Sequence, residues 1–160
     1  MAKTIKKPLS VDRRSLLKAT GVGVLAVAGS GLLSRTAQAT PETAAKKLSE
    51  LTGGAAVKQG KVNVKLPEIA ENGRTVPMTV SVDSPMSSGN YVKTIHVVAE
   101  GNPNPDVVSF NLSPGTGKAE VATRIRLGKT QNVVARAVMS DGSVYEGKRQ
   151  VKVTIGGCGG

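Results

Sequence analysis

Along most of the chain the hydrophobic residues recur at every second position. Val62, Val64 and Leu66 alternate with Lys61, Asn63 and Lys65, and Val76, Met78, Val80 and Val82 are interleaved with Thr79 and Ser81. Val121, Thr123, Ile125 and Leu127 alternate in the same way with Glu120, Arg124 and Arg126. A period of two places one set of side chains on each face of an extended strand. Strand-like runs also cover Tyr91 to Ala99, Val107 to Leu112, Asn132 to Met139 and Val144 to Ile155. The last two meet across Ser140-Asp141-Gly142-Ser143, a hairpin signal. Turn residues separate the other runs: Asn72-Gly73, Ser84-Pro85, Asn102-Pro103-Asn104-Pro105 and Pro114-Gly115. About seven half-polar strands divided by turns predict an all-β, immunoglobulin-like antiparallel β-sandwich.

Only one segment before these runs reads as helix. Pro41 suits a first helical position and Glu42 favours the positive end of the helix dipole. Ala44, Ala45, Leu48 and Leu51 share one face, and Gly53-Gly54 stops the helix.

The first 39 residues follow a different logic. Lys3, Lys6 and Lys7 form a basic start, Ala19 to Leu33 is an apolar stretch, and Ala37-Gln38-Ala39 supplies the small residues a signal peptidase reads. The apolar stretch falls short of the roughly 20 residues that span a bilayer. Between them, Asp12-Arg13-Arg14-Ser15-Leu16-Leu17-Lys18 resembles a twin-arginine export signal centred on Arg13 and Arg14. The expectation is cleavage before Thr40, a periplasmic location and no membrane anchor afterwards. The organisation read from the sequence is thus a leader over 1–39, a sandwich domain over 40–155 and a C-terminal tail over 156–160.

This division changes the meaning of the charge. The whole chain carries +11, but the leader has seven basic residues and one acid, so the other 121 residues keep a surplus of five, spread without blocks. Such a surplus serves solubility. With three aromatic residues and no recognition motif, nucleic-acid binding is not expected. Eighteen Val residues after the leader imply that β-branched packing fills the core in place of aromatics.

Catalytic equipment is sparse. One Cys and one His cannot supply a zinc, blue-copper or facial iron set, so neither a metal nor another cofactor is expected. His96 lies between Ile95 and Val97, and alternation turns it away from them, toward solvent or a partner, so it reads as a surface or hydrogen-bonded structural histidine rather than a catalytic base. No nucleophile elbow or phosphate loop is present, so catalytic residues are not expected. The remaining candidate is Cys158 in Gly156-Gly157-Cys158-Gly159-Gly160. Glycines on both sides suggest a mobile arm that exposes the thiol, whereas a structural cysteine is normally buried. No basic residue is near Cys158 in sequence, so, unless the fold brings a cation close, its thiol should titrate near or above roughly 8.5.

The tail resembles the signature of the SoxY family of sulfur carriers. The resemblance extends through Leu66-Pro67-Glu68-Ile69-Ala70-Glu71-Asn72-Gly73, Val82-Asp83-Ser84-Pro85-Met86, Asn102-Pro103-Asn104-Pro105, Thr123-Arg124-Ile125-Arg126-Leu127 and Val151-Lys152-Val153-Thr154-Ile155. It implies that Cys158 holds thiosulfate-derived intermediates covalently, with Gly156, Gly157, Gly159 and Gly160 as a flexible arm. It implies a SoxZ-like subunit as heterodimer partner, a SoxAX-type haem enzyme and a SoxB-type hydrolase, and in many systems a SoxCD-type dehydrogenase. The chemistry would then belong to the partners, and this chain would not be an enzyme. The competing reading is an exported interaction domain dimerised through a terminal disulfide. A ubiquitin-like modifier is disfavoured, since its adenylation needs ATP, which an exported protein does not meet. For a partner surface, the exposed β-edges and the Pro85-Met86 turn are the candidates.

Overall fold

The computed structural model describes residues 40–157. They form one helix, α1 (Pro41–Leu51), and nine strands: β1 (Val57–Gln59), β2 (Val62–Lys65), β3 (Ile69–Asn72), β4 (Val76–Val82), β5 (Val92–Ala99), β6 (Asp106–Asn111), β7 (Glu120–Ile125), β8 (Gln131–Met139) and β9 (Val144–Ile155). The twin-arginine segment with Arg13 and Arg14, together with Cys158, Gly159 and Gly160, lies outside the described residues. No described helix is long and apolar enough to cross a membrane.

Helix α1 starts as its sequence dictates. Thr40 caps it reciprocally with Thr43: the Thr40 hydroxyl accepts from the Thr43 N–H, and the Thr40 N–H donates to the Thr43 hydroxyl at 2.8 Å. Pro41 then occupies a position whose missing N–H costs nothing. At the other end Gly53 and Gly54 take positive φ values of 64° and 70°, and the Gly54 N–H returns to the Ser49 carbonyl at 2.8 Å. Ala44 and Leu48 are buried against Val98 and Val134 on the outer face of the larger sheet. Ala45, expected on the same face, is exposed, and Leu51 is half-buried. The covered stripe is thus narrower than the apolar one.

The larger sheet runs β1-β9-β8-β5-β6, with β3 also on β9, and the smaller runs β2-β4-β7. Between them lies a core of small and β-branched side chains: Val76, Met78, Val80 and Val82 of β4, Ile95 and Val97 of β5, Val133, Ala135 and Ala137 of β8, and Val151 of β9. The three aromatic residues sit only partly buried at its edge, and Lys61 reaches over the Tyr145 ring, 4.7 Å from its centre. The packing therefore rests on valine, as the composition implies.

All seven expected strands are present and pair antiparallel with one another. The sequence pattern missed β1 and β3, which pair parallel to β9 at its two ends. With three and four residues, they are too short for alternation to show. The expected β8–β9 hairpin closes on Gly142, whose φ is 82°, with the Met139 N–H on the Ser143 carbonyl at 2.9 Å. Asp141 Oδ1 accepts from the Ser143 hydroxyl at 2.6 Å and the Ser143 N–H at 2.9 Å, and these bonds hold its carboxyl below the usual range.

Two side chains are more enclosed than their sequence positions suggest. Met86 is buried, with φ at 50° and its sulfur accepting from the Val92 N–H at 3.4 Å, so the Pro85-Met86 turn offers no exposed methionine. His96 does face away from Ile95 and Val97, but that side of β5 is covered too, leaving it 9% exposed. Its Nδ1 lies 2.7 Å from the Ser109 hydroxyl on β6. Burial lowers its pKa from the ordinary value of 6.5, while the nearby Asp106 carboxylate pulls the other way.

Two outcomes follow from this packing. Leu48→Ala should cost about 2–4 kcal/mol in urea unfolding, whereas Ala45→Ser should stay within about 0.5 kcal/mol; equal losses would contradict the stripe. Because His96 is the chain's single histidine, its ring protons report one titration. Its NMR midpoint should fall below 6.5. The stabilisation linked to the neutral ring is therefore present above that pH and lost as pH falls through the folded-state midpoint. A midpoint above 6.5 would contradict the burial.

Candidate functional site

Strand β9 delivers the C-terminal tail to one end of the sandwich, where three segments meet. The Gly73 N–H donates to the Ile155 carbonyl at 2.8 Å, and the Gly73 carbonyl accepts from the Leu127 N–H at 2.8 Å. The Leu127 carbonyl then accepts from the Gly157 N–H at 3.0 Å. This relay ties the β3–β4 turn, the β7–β8 loop and the residue before Cys158 into one layer. Gly157 is buried, and so is Gly73.

The approach is closer than any side chain permits. A Cβ at Gly73 would fall on the Leu127 carbonyl oxygen and lie 2.6 Å from the Gly157 nitrogen. One at Gly156 would fall on the Gly128 carbonyl oxygen, and one at Gly157 would lie 2.6 Å from the Gly73 oxygen and 2.8 Å from the Arg74 nitrogen. These neighbours are backbone and cannot swing aside. At Gly156 and Gly157, read from the sequence as part of a flexible arm, the structure shows a backbone hydrogen bond to Gly157 and close backbone neighbours around both.

A pair of buried amides shapes the loop beneath. Asn102, 5% exposed, donates from Nδ2 to the Arg126 carbonyl at 2.8 Å. Its Oδ1 accepts from the Gly128 N–H at 3.0 Å and from Gln131 Nε2 at 2.8 Å. Gln131, 6% exposed, also donates to the Lys129 carbonyl at 3.1 Å and accepts from the Gly101 N–H at 2.6 Å. The two side chains thus satisfy backbone groups on both sides of Leu127, the residue that bonds to Gly157. Sequence reading recognised Asn102 as turn punctuation and as part of a family-like segment, and passed over Gln131. An amide's partner across 29 positions leaves no local pattern.

Basic residues stand on the loops around Gly157. Exposed Arg74, Arg126 and Lys129 adjoin Gly73, Leu127 and Gly128, so basic residues distant in sequence belong to the loops that contact Gly157. A cleft of about 330 Å³ opens beside this layer between β6 and β7, lined by Asn102, Val107, Val108, Thr123, Arg124 and Arg126 among others. Among the described residues, no three His, Cys, Asp or Glu side chains gather as a metal site requires.

Residues 48–158 match the family of sulfur oxidation protein SoxY. The sulfur carrier protein SoxY from Chlorobium limicola f thiosulfatophilum is 34% identical over 69% of this chain and 96% of its own, with a TM-score of 0.58. A superoxide reductase (neelaredoxin) from Ignicoccus hospitalis matches 72% of this chain and 94% of its own at 20% identity and a TM-score of 0.53. A putative superoxide reductase from Thermotoga maritima covers 62% and 93% at 16% identity, with a TM-score of 0.52. The reductases share the fold alone. Comparison with curated protein sequences finds no match. A family match over most of the described domain and a solved relative above 30% identity agree: the chain belongs to the SoxY family of sulfur oxidation proteins.

Proposed function

We propose that this protein is a periplasmic carrier that holds thiosulfate-derived sulfur covalently on Cys158 and presents it to separate enzymes. The observation that carries the reading is membership of the SoxY family, with a match that runs to Cys158 itself. The solved Chlorobium relative is a sulfur carrier. Thr40, the residue expected after leader cleavage, is also the N-cap of α1, so the processed chain would begin at the cap of that helix.

In this reading the Cys158 sulfur and the outer sulfur of thiosulfate form an S–S bond, and the electron pair released passes to a SoxAX-type haem enzyme. Water then breaks the bond to the sulfonate in a SoxB-type hydrolase, sulfate leaves, and a persulfide stays on Cys158. A SoxCD-type dehydrogenase oxidises that sulfur where present, and a final hydrolysis restores the thiol. A SoxZ-like subunit pairs with the carrier. This chain supplies the attachment atom and its presentation; the partners supply the redox and hydrolytic chemistry.

Intact mass of the protein from its native periplasm, before and after reduction, tests the proposal. The expected result is a thiosulfate-derived adduct that maps to Cys158 and is removed by reduction. A uniform disulfide dimer would replace it with the interaction-domain reading, and a free, unmodified thiol in cells oxidising thiosulfate would contradict it. Cys158→Ser should abolish loading while leaving the unfolding midpoint unchanged.

A further inference from the structure

We propose that Gly156 and Gly157 are a docked root rather than part of a free arm, and that Cys158 is presented from a fixed point held in place by Asn102 and Gln131. The proposal rests on the reading that Cys158 carries the cargo, but it is a statement about the chain before Cys158 and can fail separately. Glycine is needed at 156 and 157 for a reason other than flexibility: each meets backbone atoms where a Cβ would have to sit. Gly73 faces the same restriction from the opposite side, so Gly73 and Gly157, distant in sequence, make one close backbone contact, while Gly156 makes another with Gly128. Gly157 is also buried and hydrogen-bonded through its N–H, neither of which a swinging linker requires.

The consequence is a change in reach. An arm hinged after Ile155 gives the thiol-bearing residue three backbone spacings, roughly 10 Å, whereas a root fixed at Gly157 leaves one spacing, roughly 3.5 Å. An enzyme that acts on Cys158 must then come against the loops around the root, including Asn72–Arg74 and Leu127–Lys129, or pull the root free. Asn102 is a positioning residue in this scheme. Its amide satisfies the Arg126 carbonyl and the Gly128 N–H, so the Leu127 carbonyl between them is set at the place where Gly157 docks. Losing the amide leaves both loop groups without their partner.

Amide hydrogen exchange on the full chain, under reducing conditions, reads the root directly and needs no sulfur substrate. The Gly157 amide should exchange at least about tenfold more slowly than an unstructured glycine, as for a group that must open locally before exchange. Gly157→Ala should undock the root and raise exchange at Leu127, whose N–H bonds to Gly73, and Asn102→Ala should raise it at Gly157. In both, the core amides of Val97 and Ala135 should keep their wild-type rates, which a general loss of stability would not allow. Gly89→Ala, where a Cβ meets nothing, serves as control and should alter none of these rates. An unprotected Gly157 amide in the wild-type chain would overturn the proposal, as would a Gly157→Ala variant that leaves Leu127 exchange unchanged. Loading of Cys158 is measured separately by mass, so a protected root without cargo would contradict the carrier reading and leave the docked root standing.

Discussion

Gly73 uses both of its backbone groups to join strands that the chain order keeps apart, donating to Ile155 and accepting from Leu127. The position tolerates no side chain, since a Cβ would collide with the Leu127 oxygen. Through this contact the end of β9 is fixed against the β3–β4 turn and the β7–β8 loop. The place from which Cys158 leaves the domain is thereby defined. The sandwich core keeps the strands in register, yet the relay through Gly73 is what connects that core to the functional tail. A loop end normally open to solvent is here closed by backbone hydrogen bonds.

The supporting polar chemistry is economical. Asn102 and Gln131 are both buried and, besides bonding to each other, engage four backbone groups, all on the loops below the tail. Such a network is stabilising only when it is fully satisfied. Among the described residues, no buried side-chain nitrogen or oxygen lacks a partner. The ion pairs lie elsewhere, as with Arg136 and Glu146 on neighbouring strands at 2.7 Å. Exposed Arg74, Arg126 and Lys129 stand on the loops that contact Gly157.

Much of the fold was legible because burial in β4 follows the letters directly: Val76, Met78, Val80 and Val82 face inward and the residues between them face out. Strands β1 and β3 were not, because they owe their existence to the free edge of β9 and not to a period of their own. Alternation placed His96 on the correct face of β5 but said nothing about what covers that face. A single-sequence pattern carries no information on a second layer. At the site, Cys158 stood out by its glycine flanks, and the family match includes it. The same flanks suggested flexibility at Gly156 and Gly157, where the structure shows close backbone contacts. Glycine serves flexibility and close contact equally well, and only the fold, by placing Gly73 and Gly128 against them, separates the two.

The central claim is that the cargo-bearing residue is presented from a rigid root. The backbone ¹⁵N order parameter of Gly157 in the wild-type chain tests it most directly. A value near about 0.85, equal to that of Val151 in the core of β9, is the predicted result. A value below about 0.6 would mean that the chain is already loose at Gly157, and would contradict the account.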